Sequence, residues 1–236
     1  MEGVKLRMNY PEAWLRGASL GEGIASNIRL KIVSGTIQPG DKLSENGIAA
    51  EFGTSRSPVR EALKTLSSEG LIRLERMGAV VIGLGPKEVG ELYDVRYLIE
   101  SFVQSRIAAL DAKALSVVLE RIIDKMELAG RHRDPVEFAF QDLSFHETII
   151  AEAKHSRIWQ LWRSIRQLVM TVMLITTEEV FAEGEERVEA VIEKHRILLQ
   201  GIRSGDPEEV QKRVRRYFDD SYVTLRHSLP HREEDR

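Results

Sequence analysis

Thr54-Ser-Arg-Ser-Pro-Val-Arg-Glu-Ala-Leu-Lys-Thr-Leu66 gathers two arginines, two serines and a threonine at one end of an amphipathic helix. Thr54 or Ser55 can cap that helix, and Pro58 falls in its first turn, where a missing N–H is tolerated. Val59, Ala62, Leu63 and Leu66 recur at three- and four-residue spacing and predict the buried face. Arg56 and Arg60 are one turn apart, so both project from the polar face beside the N–H-rich terminus. Such a tip suits a major groove, because phosphates favour the terminus and arginine pairs bidentately with guanine. By itself the stretch also describes an ordinary capped helix with solvated arginines.

The flanks favour the groove. Upstream, Ser44-Glu-Asn-Gly-Ile-Ala-Ala-Glu-Phe52 predicts a short helix, and Gly53 provides the turn into the basic one. Helix, turn and basic-tipped helix make a helix-turn-helix. Downstream, Glu69-Gly70 ends the helix. The run from Leu71 to Ile82 then offers two β-rich segments around Met77-Gly78, a wing in which Arg73 and Arg76 can reach phosphates. Together they predict a winged helix-turn-helix.

A chain of 236 residues suffices for one large or two modest domains. There are no cysteines, hence no disulfide and no thiolate ligand. No apolar run approaches the ~20 residues of a membrane span, and the N-terminus lacks a secretory apolar core; the expectation is a cytoplasmic protein. The net charge of −3 is unevenly spread. Residues 1–85 carry 11 basic and 9 acidic side chains, residues 86–236 carry 23 and 28. DNA contacts are therefore expected at the helix tip and wing rather than over a broad basic surface.

Ile24, Ile28, Ile32 and Val33 stripe a first helix, roughly 20–34, which should buttress the next two. Trp14 and Leu15 can fasten the opening segment to either domain. Gly83-Leu-Gly-Pro86 marks the domain boundary. The expected division is an N-terminal segment (1–16), a winged helix-turn-helix (17–85), an all-helical domain (86–228) and a charged tail (229–236). Helices are predicted at about 87–110, 112–130, 135–152, 155–176, 183–204 and 206–227, with Asp111 among the separators. The fold class is mainly α, with a bundle of six to seven helices behind the DNA-binding domain.

Within the bundle, Asp142 and His146 stand at i and i+4 and share one helix face, where a carboxylate and an imidazole can hold a divalent cation. A hydrogen-bonded core Asp–His pair reads equally well. His195 lies among apolar residues of a later helix, as a core histidine would. Arg96 also falls among apolar positions and needs an anionic partner, either Glu100 at i+4 or a ligand. Trp159 and Trp162 lie on a helix apolar on more than one side, which suits the bundle centre or a dimer interface. His132, His155, His227 and His231 read as surface residues.

The run containing SENGIAAEFGTSRSPVREAL and IRLERMGAVVIGL resembles the DNA-binding domain of GntR-family bacterial repressors, and the remainder resembles the helical FCD half of the FadR-like subfamily. YPEAWL, RLERMGAVVIGL and FQDLSFHETII resemble, more narrowly, the gluconate branch of that family. The resemblance implies a homodimer that binds double-stranded operator DNA through Glu45, Asn46, Ser55, Arg56, Ser57, Arg60, Arg73, Arg76 and Gly78. It also implies a divalent metal, Zn or similar, at Asp142, His146 and His195. The family's fourth metal position, usually histidine, falls at Tyr217, a poor ligand while its phenol is neutral. Arg96 would hold the carboxylate of a small sugar acid such as gluconate, with Gln141 and Arg166 among the candidates for its hydroxyls; Ser144 and Thr171 are others. Many relatives have a basic residue where Asn46-Gly47 stands.

Two function classes follow. One is a transcriptional repressor released from its operator by a carboxylate effector, gluconate or another organic acid. The other is a metal-dependent hydrolase built on Asp142, His146 and His195, which lacks an accompanying nucleophile and leaves the winged helix without a purpose. An acyl-CoA effector fits the metal-like residues poorly. The repressor is the expected reading, and the chain is not expected to be an enzyme.

Overall fold

The structure is a computed structural model that describes residues 10–108 and 112–228. The opening residues 1–9, the expected separator Asp111 and the tail 229–236 lie outside the described residues. The chain forms two compact units that divide at Pro86.

The first unit opens with a 3-10 turn, Glu12–Leu15, beside which the rings of Tyr10 and Trp14 meet edge to face at 5.8 Å. Helix α1, Leu20–Val33, starts in a capping box: the Ser19 hydroxyl accepts from the Glu22 N–H, and the Glu22 carboxylate accepts from the Ser19 N–H. It packs against α3, Arg56–Ser68, with α2, Glu45–Glu51, between them in sequence. Val59, Ala62, Leu63 and Leu66 form the buried face of α3, as their spacing predicts. Ser55 occupies the N-cap of α3, but its side chain makes no capping hydrogen bond.

One buried charge pair in this unit leaves no trace in the apolar pattern. Arg29 of α1 is 1% exposed and donates through Nε and Nη2 to the two carboxylate oxygens of Glu69, each at 2.6 Å. This fork ties the middle of α1 to the C-cap of α3. Removing either partner would strand the other charge.

The wing is a hairpin of β2, Ile72–Glu75, and β3, Gly78–Val81. A third strand, β1, Lys42–Ser44, joins it, with sheet order β1-β3-β2 and antiparallel pairing throughout. Sequence alternation does not announce a strand of three residues. Ser44 ends it and at once caps α2 by accepting from the Gly47 N–H at 3.0 Å. β1 crosses so close to Gly78 that a Cβ there would lie 1.9 Å from the Leu43 carbonyl oxygen. Gly78 is thus required by the sheet, whatever it does at a DNA surface.

The second unit is a six-helix bundle: α4 Pro86–Ala108, α5 Lys113–His132, α6 Pro135–Glu152, α7 Ser156–Glu183, α8 Glu185–Ser204 and α9 Pro207–Ser228. α6 packs between α5 and α7, and α8 packs on α5, α7 and α9. α4 joins α9 through side chains: Tyr93 and Tyr97 meet Phe218 edge to face, and Gln211 donates to the Ser101 carbonyl. Asp134 caps α6 ahead of Pro135, and His155 caps α7 by accepting from the Ile158 N–H. α7 runs two turns past the predicted end at Thr176. Buried Val180 and a Phe138–Phe181 ring contact at 5.3 Å hold the extension against the bundle, outweighing the helix-weakening threonines. No helix among the described residues is long and apolar enough to cross a membrane.

Gly78→Ala should destabilise the first unit by about 1–3 kcal/mol through overpacking against β1. Urea unfolding followed by circular dichroism measures this. Unchanged stability would mean that β1 can move aside freely.

Candidate DNA interface and effector cavity

In the first unit Ser55, Arg56, Ser57 and Arg60 are all exposed at the start of α3, as are Asn46 on α2 and Arg73 and Arg76 on the wing. Arg56 forms no ion pair among the described residues. Arg60 donates through Nε to both carboxylate oxygens of Glu45 at 2.9 Å. Glu45 itself is buried behind that pair. The hydrogen bond from Arg60 holds the Glu45 carboxyl below the usual range, and Glu45 in return raises the guanidinium. Glu45 is therefore placed to aim Arg60 from α2. Gly78 is buried, unlike the arginines of the wing.

In the bundle a polar chain crosses the core. On α4, Arg96 donates to Glu100 Oε1 through Nη2 at 3.0 Å, so the internal partner is the one formed. Glu100 Oε2 accepts from His146 Nδ1 of α6 at 2.5 Å. His146 Nε2 lies 2.8 Å from the Tyr217 hydroxyl of α9 and 3.4 Å from Asp142 Oδ1. His195 Nε2 of α8 reaches the same Asp142 oxygen at 3.0 Å. Arg96, Glu100, His146 and His195 are essentially inaccessible to water.

Burial raises both carboxyls, yet charge wins. His146 and Arg96 hold Glu100 below its ordinary range, and the neighbouring His195 and His146 imidazoles, with their hydrogen bonds, do the same for Asp142. Burial pushes His146 down, while the Glu100 charge and its carboxylate hydrogen bonds push it further up. The Tyr217 phenol is raised well above its normal value by burial and by the Asp142 charge, so it stays neutral.

The donor set fits a divalent cation. Asp142, His146 and His195 present ligand atoms that all lie within 4.8 Å of one another. The separations of 3.0 and 3.4 Å from Asp142 Oδ1 compare with about 3.3 Å between donors around a tetrahedral zinc. His195 Nδ1 lies 2.8 Å from the Val191 carbonyl oxygen, which only accepts, so Nδ1 carries the hydrogen. Glu100 fixes the His146 ring in the same way. Both arrangements are those of metal-bound imidazoles.

A cavity of about 50 Å³ adjoins this cluster, walled by five of the six helices. Tyr93, Arg96, Asp142, Lys194 and Tyr217 reach it, as do Thr176, Thr177 and Ser221. Gln141 and Arg166 do not line it. Gln141 donates to Glu137, and Arg166 is forked onto Glu147, which also accepts from Trp162. Ser144 and Thr171 also lie off its walls. Arg215 stacks over Tyr97, 4.6 Å from the ring centre, away from the metal-like cluster. Sequence reasoning missed Lys194, Thr176, Thr177 and Ser221. The available signal was the helical spacing of Met173, Thr176, Thr177 and Val180 on the extended α7.

Residues 20–82 match the family described as bacterial regulatory proteins, gntR family, and residues 91–220 match the FCD domain. Two gluconate operon transcriptional repressors are similar over 89% of this chain and 87% of their own length: 43% identical in Bacillus licheniformis and 44% in Bacillus subtilis. Among solved structures, E. coli McbR/YncC superposes with a TM-score of 0.67 at 18% identity, covering 89% of this chain and 98% of that one, a likeness of fold. With its winged helix and its FCD bundle, the chain belongs to the GntR family of bacterial regulatory proteins and is a DNA-binding transcriptional regulator, not an enzyme.

Proposed function

We propose that this regulator represses a sugar-acid catabolic operon and is released from its operator by gluconate bound in the bundle cavity. The observation that carries the reading is the cavity beside Asp142, His146 and His195, into which charged and hydroxyl side chains reach, in a chain whose similar relatives are named for a gluconate operon. In this reading Ser55, Arg56, Ser57 and Arg60 enter a major groove, with Asn46 alongside, while Arg73 and Arg76 hold phosphates. Glu45 and Gly78 act on that surface by positioning Arg60 and the wing.

Two copies would read a palindromic site. Exposed Leu98 and Phe102 on α4 and Trp159 and Leu161 on α7 support a homodimer, since the Phe102–His155 ring contact brings these helices together. Asp142, His146 and His195 would hold a divalent cation, which would offer a coordination position to an effector oxygen. Neutral Tyr217 would stand beside it as a hydrogen-bond donor. The hydrolase reading of the same three residues is set aside, because the family is one of regulators.

The cavity has room for a few water-sized occupants. A six-carbon acid therefore enters only as the walls move apart, and a ligand that binds the widened form shifts the population toward it.

Fluorescence anisotropy of a labelled duplex from upstream of the protein's own operon tests this. Gluconate should release the protein and citrate should not; binding indifferent to gluconate would overturn the effector. In the same assay Arg56→Ala and Arg60→Ala should each cost ~1–3 kcal/mol of operator binding, and wild-type affinity would contradict the docking face. Arg96→Ala would leave Glu100 buried without its guanidinium. It should destabilise the bundle by about 3–5 kcal/mol, read as a lower melting temperature; an unchanged melt would contradict the role given to the pair.

A further inference from the structure

The charged side chains on the cavity wall are Arg96, Asp142 and Lys194. Arg96 is committed to Glu100 and enclosed by the Tyr93 and Phe218 rings at 4.9 and 5.4 Å. Asp142 is engaged by two imidazoles, and without a cation bound between them it would repel a ligand carboxylate. Lys194 differs from both. It is half-buried one residue before His195, and no described residue gives its ammonium a hydrogen bond or an ion pair. An ammonium has three donors and no acceptor, so a cavity that half-encloses one is suited to an anion.

The hydroxyls around it are disposed in a complementary way. Thr176 donates to the Val172 and Met173 carbonyls, and Ser221 donates to the Tyr217 carbonyl. With their hydrogens spent on the backbone, these oxygens present lone pairs that can accept from ligand O–H groups. Thr177 reaches the cavity one residue along α7 from Thr176, with no internal hydrogen bond among the described residues.

We propose that Lys194 anchors the effector's carboxylate and that Thr176, Thr177 and Ser221 accept its hydroxyls, so that the cavity selects a polyhydroxylated monocarboxylate. This rests on the sugar-acid reading above and assigns its recognition to residues other than Arg96, Gln141 and Arg166. In the metal-free protein a second carboxylate on the ligand would find no uncommitted cation on the described wall and would face Asp142.

Isothermal titration of chelator-treated, metal-free protein with gluconate, its neutral amide gluconamide and the dicarboxylate glucarate tests the assignment. The unaltered protein should prefer gluconate to gluconamide by roughly tenfold or more, the effect expected of a hydrogen-bonded charge. Glucarate should bind more weakly than gluconate. Lys194→Gln should bind gluconate and gluconamide alike, Lys194→Arg should keep the preference, and a thermal melt of each variant reports its fold. A Lys194→Gln protein that keeps the full preference overturns the anchor while leaving the effector in place. Equal binding of gluconate and gluconamide by the unaltered protein does the same without any variant. Glucarate binding as tightly as gluconate overturns the selectivity. Failure of the unaltered protein to bind gluconate overturns the sugar-acid reading and the anchor together.

Discussion

Glu100 is a carboxylate with no exposed surface, and a charge so placed persists only if it is answered on the spot. It is answered from two directions: by Arg96 one turn earlier on α4 and by His146 from α6. That double engagement turns the His146 ring so that Nε2 meets Tyr217 and Asp142, and Asp142 then meets His195 of α8. One buried charge thus sets the side chains of four helices around a single interior point. Of these, Arg96, Asp142 and Tyr217 reach the cavity and form part of its wall. Polar groups fixed in this way give a ligand a preorganised surface, and any disturbance of the wall reaches α4, α6, α8 and α9 together.

The DNA-binding unit uses the same device on a smaller scale. Glu69 answers Arg29 and sets α1 against the end of α3, while Glu45 answers Arg60 and aims it from α2. Arg56 is left without an ion-pair partner among the described residues. The two arginines at the helix tip therefore differ in kind, one restrained before it meets a phosphate or base and one free. Restraint lowers the entropy lost on binding and favours discrimination, whereas a free side chain adapts.

The winged helix was legible because its signals are local. The spacing of Val59, Ala62, Leu63 and Leu66, the turn at Gly53 and the hairpin around Met77-Gly78 each depend on residues near in sequence. The bundle's helices were legible for the same reason, and Asp142 with His146 stood out because i and i+4 share a face. Long-range pairing was not legible. Nothing near Arg29 points forty residues ahead to Glu69, and β1 is too short to alternate. Gln141 and Arg166 were plausible hydroxyl contacts by type, but Glu137 and Glu147 hold them elsewhere. Lys194 was passed over beside His195, because which side of α8 faces the cavity depends on how α7 and α9 pack. Ending α7 at Thr176 hid the turns that carry Thr177 and Val180 to the wall.

In the function proposed here the effector binds in the cavity beside the Glu100-centred cluster. Hydrogen exchange followed by mass spectrometry, with and without gluconate, tests it most directly. Binding there should slow exchange in segments 173–180, 191–195 and 217–225, which contribute to that cavity's wall. Slowed exchange confined to 127–131 and 185–192, which line a separate groove between α5 and α8, would contradict it.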